Sequence, residues 1–121
     1  MKFTRELPNA LMIRSVTSAG IVIGEETHAR TLAITNEQVL ADWPAKAVAE
    51  LVESDFEELF EAAPELVLLG TGSKVEFAPR ELTFAFARRQ VGLEVMDTAA
   101  AARTFNVLVG EGRRLAAVLY V

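Results

Sequence analysis

Arg103 and Asn106 lie three residues apart, about one helical turn, and Arg113 follows a short way downstream. A guanidinium fork, a carboxamide and a second guanidinium form a set that can grip a carboxylate or a phosphate. The competing reading pairs Arg103 with Asp97 or Glu111 and uses Asn106 to satisfy loop carbonyls, because half-buried polar groups usually exist to be paired. Gly70-Thr71-Gly72 closes an apolar run, and the carboxyl end of a strand is where open α/β sheets commonly bind ligands. The motif has Val75 where a dinucleotide fingerprint needs its third glycine, and no Gly-Lys-Ser/Thr follows it. A strand-ending turn is the plainer reading.

Other chemistry is poorly supplied. His28 is the only histidine and there is no cysteine. A zinc site would therefore need mostly carboxylates, and a Ser-His-acid triad would rest on one residue in an expected hairpin loop beside Glu25 and Glu26. Asp55, Glu57, Glu58 and Glu61 have the spacing of a solvated helix face rather than of an acid/base pair. These residue types argue against catalysis, and neither a cofactor nor a metal is expected.

The elements that would position these groups can be read from pattern. Val16 and Ile21-Val22-Ile23 flank the turn Thr17-Ser18-Ala19-Gly20, and a polar break from Gly24 to Arg30 precedes Thr31 to Thr35, so the front of the chain reads as antiparallel strands. A short strand is expected around Val39-Leu40, ended by Trp43-Pro44. Ala45 to Glu53 is ambiguous between helix and irregular chain. Ser54-Asp55-Phe56-Glu57 has the form of a capping box, which predicts a helix that carries Phe56, Leu59, Phe60 and Ala63 and is stopped by Pro64. Leu66 to Leu69 reads as a strand buried on both faces, the expected central strand. Pro79 suits the first turn of a helix bearing Leu82, Ala85 and Phe86 and ending near Gly92. Leu93 to Met96 is a further strand, Asp97 or Thr98 caps the next helix, Gly110 or Gly112 ends it, and Leu115 to Val121 closes as an apolar strand. Strand-helix-strand-helix-strand demands crossovers and implies parallel pairing. The expected fold is α/β: a single three-layer domain over residues 1–121, with a central mixed, mostly parallel sheet and an N-terminal antiparallel strand layer.

Composition agrees with one folded unit. Of 121 residues, 51% are hydrophobic and 24% charged, with no cysteine, so disulfides and thiolate chemistry are absent. The net charge is −5, with 5 basic and 10 acidic side chains in residues 1–60 against 7 and 7 in 61–121. That balance argues against nucleic acid as a partner, since Arg88-Arg89 and Arg113-Arg114 make no basic face. The longest apolar run, Leu115 to Val121, is far short of the roughly 18 residues of a membrane span. Met1 to Pro8 lacks the apolar core of a secretory signal. The expectation is a cytoplasmic protein.

On a helical wheel the last helix gathers Ala101, Phe105, Leu108 and Val109 on a core face. The opposite stripe holds Ala99, Arg103, Val107 and Gly110, with Arg103 its only charge. Either the front strands cover this stripe, completing three layers, or it meets a partner protein.

Leu69-Gly70-Thr71-Gly72, then Met96-Asp97-Thr98 with Ala101-Ala102-Arg103-Thr104-Phe105-Asn106, and Glu111-Gly112-Arg113-Arg114, resemble a family of small bacterial and archaeal α/β proteins. That family includes the mitochondrial NADH:ubiquinone oxidoreductase (complex I) assembly factor 3. The resemblance implies a three-layer α/β domain, no established enzyme activity, and a protein partner in an assembly role. Gly70, Thr71, Gly72, Asp97, Thr98, Arg103, Asn106, Val107 and Arg113 are the candidate contact residues. The first functional reading is a non-catalytic interaction module. The alternative is a domain that binds an anionic small molecule where Gly70-Thr71-Gly72 and Arg103 converge.

Overall fold

A computed structural model describes residues 11–44 and 46–121. Met1 to Pro8, read above for the lack of a signal, lies outside them. The chain runs through β1 (Ile13–Thr17), β2 (Gly20–Ile23), β3 (Glu26–His28), β4 (Leu32–Thr35) and β5 (Val39–Leu40). Two 3-10 turns, Val48–Glu50 and Glu53–Phe56, lead into α1 (Glu57–Glu61). Then follow β6 (Leu66–Gly70), α2 (Arg80–Arg89), β7 (Gly92–Met96), α3 (Thr98–Gly110) and β8 (Leu115–Leu119).

The strands form a five-stranded sheet in the order β5-β4-β8-β6-β7 and a three-stranded sheet in the order β1-β2-β3. In the larger sheet β6 pairs in parallel with both β8 and β7, whereas β4 runs antiparallel to β8 and to β5. The parallel part is the βαβαβ rhythm read from the sequence, because each parallel neighbour needs a crossover helix. The middle position belongs to β8, with β6 beside it. Both strands are buried along their whole length, which requires an apolar residue at every step rather than alternation.

Successive side chains point to opposite faces, so each interior strand feeds two cores. Leu66 and Leu68, Leu115, Ala117 and Leu119, and Leu32 and Ile34 face α3 and the three-stranded sheet, where they meet Ile13, Ile21, Ile23, Ala101, Ala102 and Phe105. Val67, Leu69, Ala116, Val118 and Ala33 face the other way, onto Val48, Leu51, Phe56, Leu59, Leu82 and Phe86. The result is three layers, with the front sheet lying beside α3 on one face.

Several local details differ from the sequence reading. The supposed polar break from Gly24 to Arg30 contains β3, so His28 stands in a strand opposite Ile21 rather than in a loop. Its side chain is largely covered and lies 3.8 Å from Glu26. Three polar-flanked residues carry too weak an alternation to be seen; pairing with β2 holds them. The strand read at Thr31 to Thr35 is β4 (Leu32–Thr35), which belongs to the large sheet and not to the front layer. The capping box is also displaced. Asp55, not Ser54, closes the turn, its carboxylate accepting from Val52 N–H at 2.9 Å and from Lys46 Nζ at 2.8 Å. Burial alone would push the Asp55 carboxyl up, but these two hydrogen bonds and the Lys46 charge together hold it below its ordinary value. The α1 helix stops where expected: Ala63 takes a left-handed φ of 54° just ahead of Pro64.

Candidate functional site

Gly70, Thr71, Gly72, Asp97 and Thr98 come together where β6 and β7 end and α3 begins. Gly70 is buried, and a Cβ there would sit 2.9 Å from Thr98 Cα and 3.1 Å from Ala101 Cβ. The glycine is what lets the first turn of α3 lie on the strand. Thr98, 1% exposed, ties the junction together: its Oγ1 accepts from Gly72 N–H at 2.7 Å and donates to Tyr120 C=O at 2.7 Å. Thr98 N–H in turn donates to Gly72 C=O at 2.9 Å. Thr71 Oγ1 donates to Lys74 C=O at 2.6 Å and accepts from Glu76 N–H at 3.0 Å, shaping the following loop. Asp97 caps α3 by accepting from Ala100 N–H at 2.8 Å. Every one of these polar groups has a structural partner.

A cleft of about 550 Å³ lies over this junction, walled by Thr17, Ile21, Gly72, Asp97, Ala99 and Tyr120 among others. Its lining carries a carboxylate and no basic side chain. Arg103 is not among the residues that wall the cleft, and an anion would find no basic side chain there.

The polar set on α3 separates in the same way. Asn106 turns toward the front sheet, where its Oδ1 accepts from Ile13 N–H at 3.1 Å and its Nδ2 donates to Ile13 C=O at 2.8 Å. One carboxamide thus acts as a strand would, filling the edge of β1. Arg113 is held by Glu65, with Nε at 3.1 Å and a terminal nitrogen at 3.0 Å from Oε1. The Arg113 bonds first, then the Arg114 N–H, hold the Glu65 carboxyl below its ordinary value. Arg103 pairs with neither Asp97 nor Glu111: it is exposed and forms no ion pair among the described residues. The carboxylate or phosphate grip read from spacing is therefore dispersed over a strand edge, an ion pair and open solvent.

What remains is the outer stripe of α3. Val107 is 58% exposed, and Arg103 and Gly110 are also exposed, with Ala99 half-buried at the margin of the cleft. The front sheet covers the Asn106 flank of the helix and leaves this stripe open. Phe77, 93% exposed in the loop ahead of α2, and Phe84, 54% exposed on α2, are large apolar side chains that sequence reasoning did not single out. Phe84 could have been found from the wheel, since it stands opposite Leu82 and Phe86.

A family described as protein of unknown function (DUF498/DUF598) matches residues 13–120. The chain belongs to this family. It is similar to the Bos taurus protein named NADH dehydrogenase [ubiquinone] 1 alpha subcomplex assembly factor 3, being 32% identical over 117 residues that make up 95% of this chain and 63% of the relative. The chain thus spans less than two thirds of that protein's length. It is also similar to a Francisella tularensis protein named 13 kDa major membrane protein, 27% identical over 97 residues, 80% of this chain and 78% of the relative. Among solved structures, a Xanthomonas campestris protein studied by NMR matches with a TM-score of 0.83 and 30% identity, over 90% of this chain and 83% of that one. No helix among the described residues is long and apolar enough to cross a membrane.

Proposed function

We propose that this protein is a non-catalytic interaction module with an accessory role in the assembly of a larger complex, and that the outer stripe of α3 contributes to its contact surface. The observation that carries the reading is the exposure of Val107, at 58%, on a helix face whose only charge is Arg103. A solvated helix face usually carries several charges, and an exposed stripe of small and apolar residues suits a partner. Likeness to the bovine assembly factor supports a role beside respiratory complex I or a comparable assembly. The polar residues of the Gly70-Thr71-Gly72 junction are engaged in holding the fold, which leaves them little part in chemistry.

A photo-crosslinking residue in place of Val107 should trap one defined partner in native cells, while the same residue in place of Glu57 on α1 should not. Val107→Asp should abolish association with that partner and leave the thermal unfolding temperature unchanged. Equal labelling from both positions, or undiminished association of the Val107→Asp variant, would overturn the proposal.

A further inference from the structure

The four sheet edges are treated differently. On β1, Asn106 fills the backbone groups of Ile13, and the pairing register breaks between Ile13 and Ser15. The edge strands β3 and β5 are only 3 and 2 residues long. Short, irregular or covered edges resist pairing with another chain. The fourth edge, β7, has 5 residues and neither proline nor a register break against β6.

The pairing of β7 shows which of its backbone groups are free. Gly92 N–H donates to Glu65 C=O at 3.0 Å, and Met96 C=O accepts from Thr71 N–H at 2.9 Å. In a parallel ladder alternate residues turn to the same neighbour, so Gly92, Glu94 and Met96 bond to β6. The N–H and C=O groups of Leu93 and Val95 therefore point outward. Among the described residues nothing bonds to them. Leu93 and Val95 side chains lie half-buried on the α2 face, and the exposed Glu94 shares the α3 face with Gly92 and the half-buried Met96.

We propose that β7 is a docking edge for an extended segment of a partner protein with the pattern apolar-basic-apolar. The segment bonds to the outward groups of Leu93 and Val95. Its apolar residues extend the Leu93 and Val95 surface, and its lysine or arginine faces Glu94. Facing residues of paired strands emerge on the same side of a sheet, so the basic residue meets the carboxylate with either strand polarity. A second copy of this chain fits badly. The antiparallel two-fold register that uses the free groups of both Leu93 and Val95 sets Glu94 against its own copy. Centring the axis on Leu93 calls on Val91, whose N–H is given to Phe86 C=O, and centring it on Val95 calls on Asp97, whose C=O accepts from Ala101 N–H. The carboxylate and the occupied backbone groups of Val91 and Asp97 together oppose self-pairing, and the carboxylate selects a basic complement. This edge is separate from the α3 stripe, and either surface can fail its test without the other.

The test titrates the isotope-labelled protein at low salt with two synthetic peptides, Thr-Thr-Val-Lys-Val-Thr-Thr and Thr-Thr-Val-Glu-Val-Thr-Thr, following amide signals and hydrogen exchange by NMR. The lysine peptide should slow exchange at Leu93 and Val95 and bind at least about threefold more tightly than the glutamate peptide, the size expected of a cross-strand charge pair. Glu94→Lys, a substitution at an exposed site, should reverse that order. The proposal is overturned if Leu93 and Val95 gain no protection from the lysine peptide, if protection appears elsewhere instead, or if Glu94→Lys leaves the order of the peptides unchanged.

Discussion

Replacing Asn106 with alanine removes the two bonds by which α3 holds the first residue of the front sheet. The wild-type carboxamide accepts from Ile13 N–H at 3.1 Å and donates to Ile13 C=O at 2.8 Å, across 93 residues of sequence. A neutral hydrogen bond contributes about 1 kcal/mol net, so losing both costs about 2 kcal/mol, with water reaching the part-buried groups and limiting the desolvation penalty. At about 2.1 cal/mol/K per residue, unfolding the 121-residue chain carries an entropy of roughly 0.25 kcal/mol/K, so the midpoint should fall by about 8 °C. Asn106→Asp separates the two bonds. It keeps the acceptor for Ile13 N–H but sets a negative oxygen against Ile13 C=O, so it should be less stable than the alanine variant at neutral pH. Urea unfolding of the three proteins measures both differences, with an unchanged m-value showing that the transition itself is the same. A loss below about 0.5 kcal/mol for Asn106→Ala, or an aspartate variant as stable as wild type, would refute the strand-edge role.

Gly70→Ala should destabilise the fold by about 1–3 kcal/mol, the usual cost of overpacking. The added Cβ would lie 2.9 Å from the backbone at Thr98, which cannot swing aside as a side-chain tip can; an unchanged urea midpoint would count against close packing of α3 on β6. Asp55 links stability to pH. Its folded-state pKa is depressed below the ordinary 3.8, so its contribution is fully present above that value and is lost as pH falls through the lower folded-state value. The stability gap between wild type and Asp55→Asn should therefore be full near pH 6 and shrink in strongly acidic solution, and a gap independent of pH would contradict the Lys46 and Val52 bonds.

The larger elements were legible because one physical signal dominated each. Leu66 to Leu69 is apolar at every step, and only a strand covered on both faces, or a buried helix too short to be one, needs that. Asp97 precedes the periodic residues of α3 and does cap it, at 2.8 Å. His28 and its strand escaped notice because β3 exists through its pairing with β2, and a three-residue run has almost no periodicity of its own.

The polar residues of the candidate site were harder to place for a different reason. Arg103 and Asn106 are neighbours on the helix surface, but they straddle the line where the front sheet meets α3, so one faces solvent and the other Ile13. Sequence spacing gives an angle around the helix axis and says nothing of what lies beyond it. Arg113 is more instructive. In the parallel pairing of β6 with β8, Leu66 stands opposite Leu115, so Glu65 is necessarily beside Arg114 and next to Arg113. That ion pair could have been inferred once the two apolar runs were taken as parallel neighbours with aligned starts. Register therefore carries the information that helix spacing lacked, and the same reasoning applied to the other side of β6 sets Glu94 on an open edge. By the proposal above, a carboxylate in such a position limits which strand can add there, which its exposure alone would not reveal.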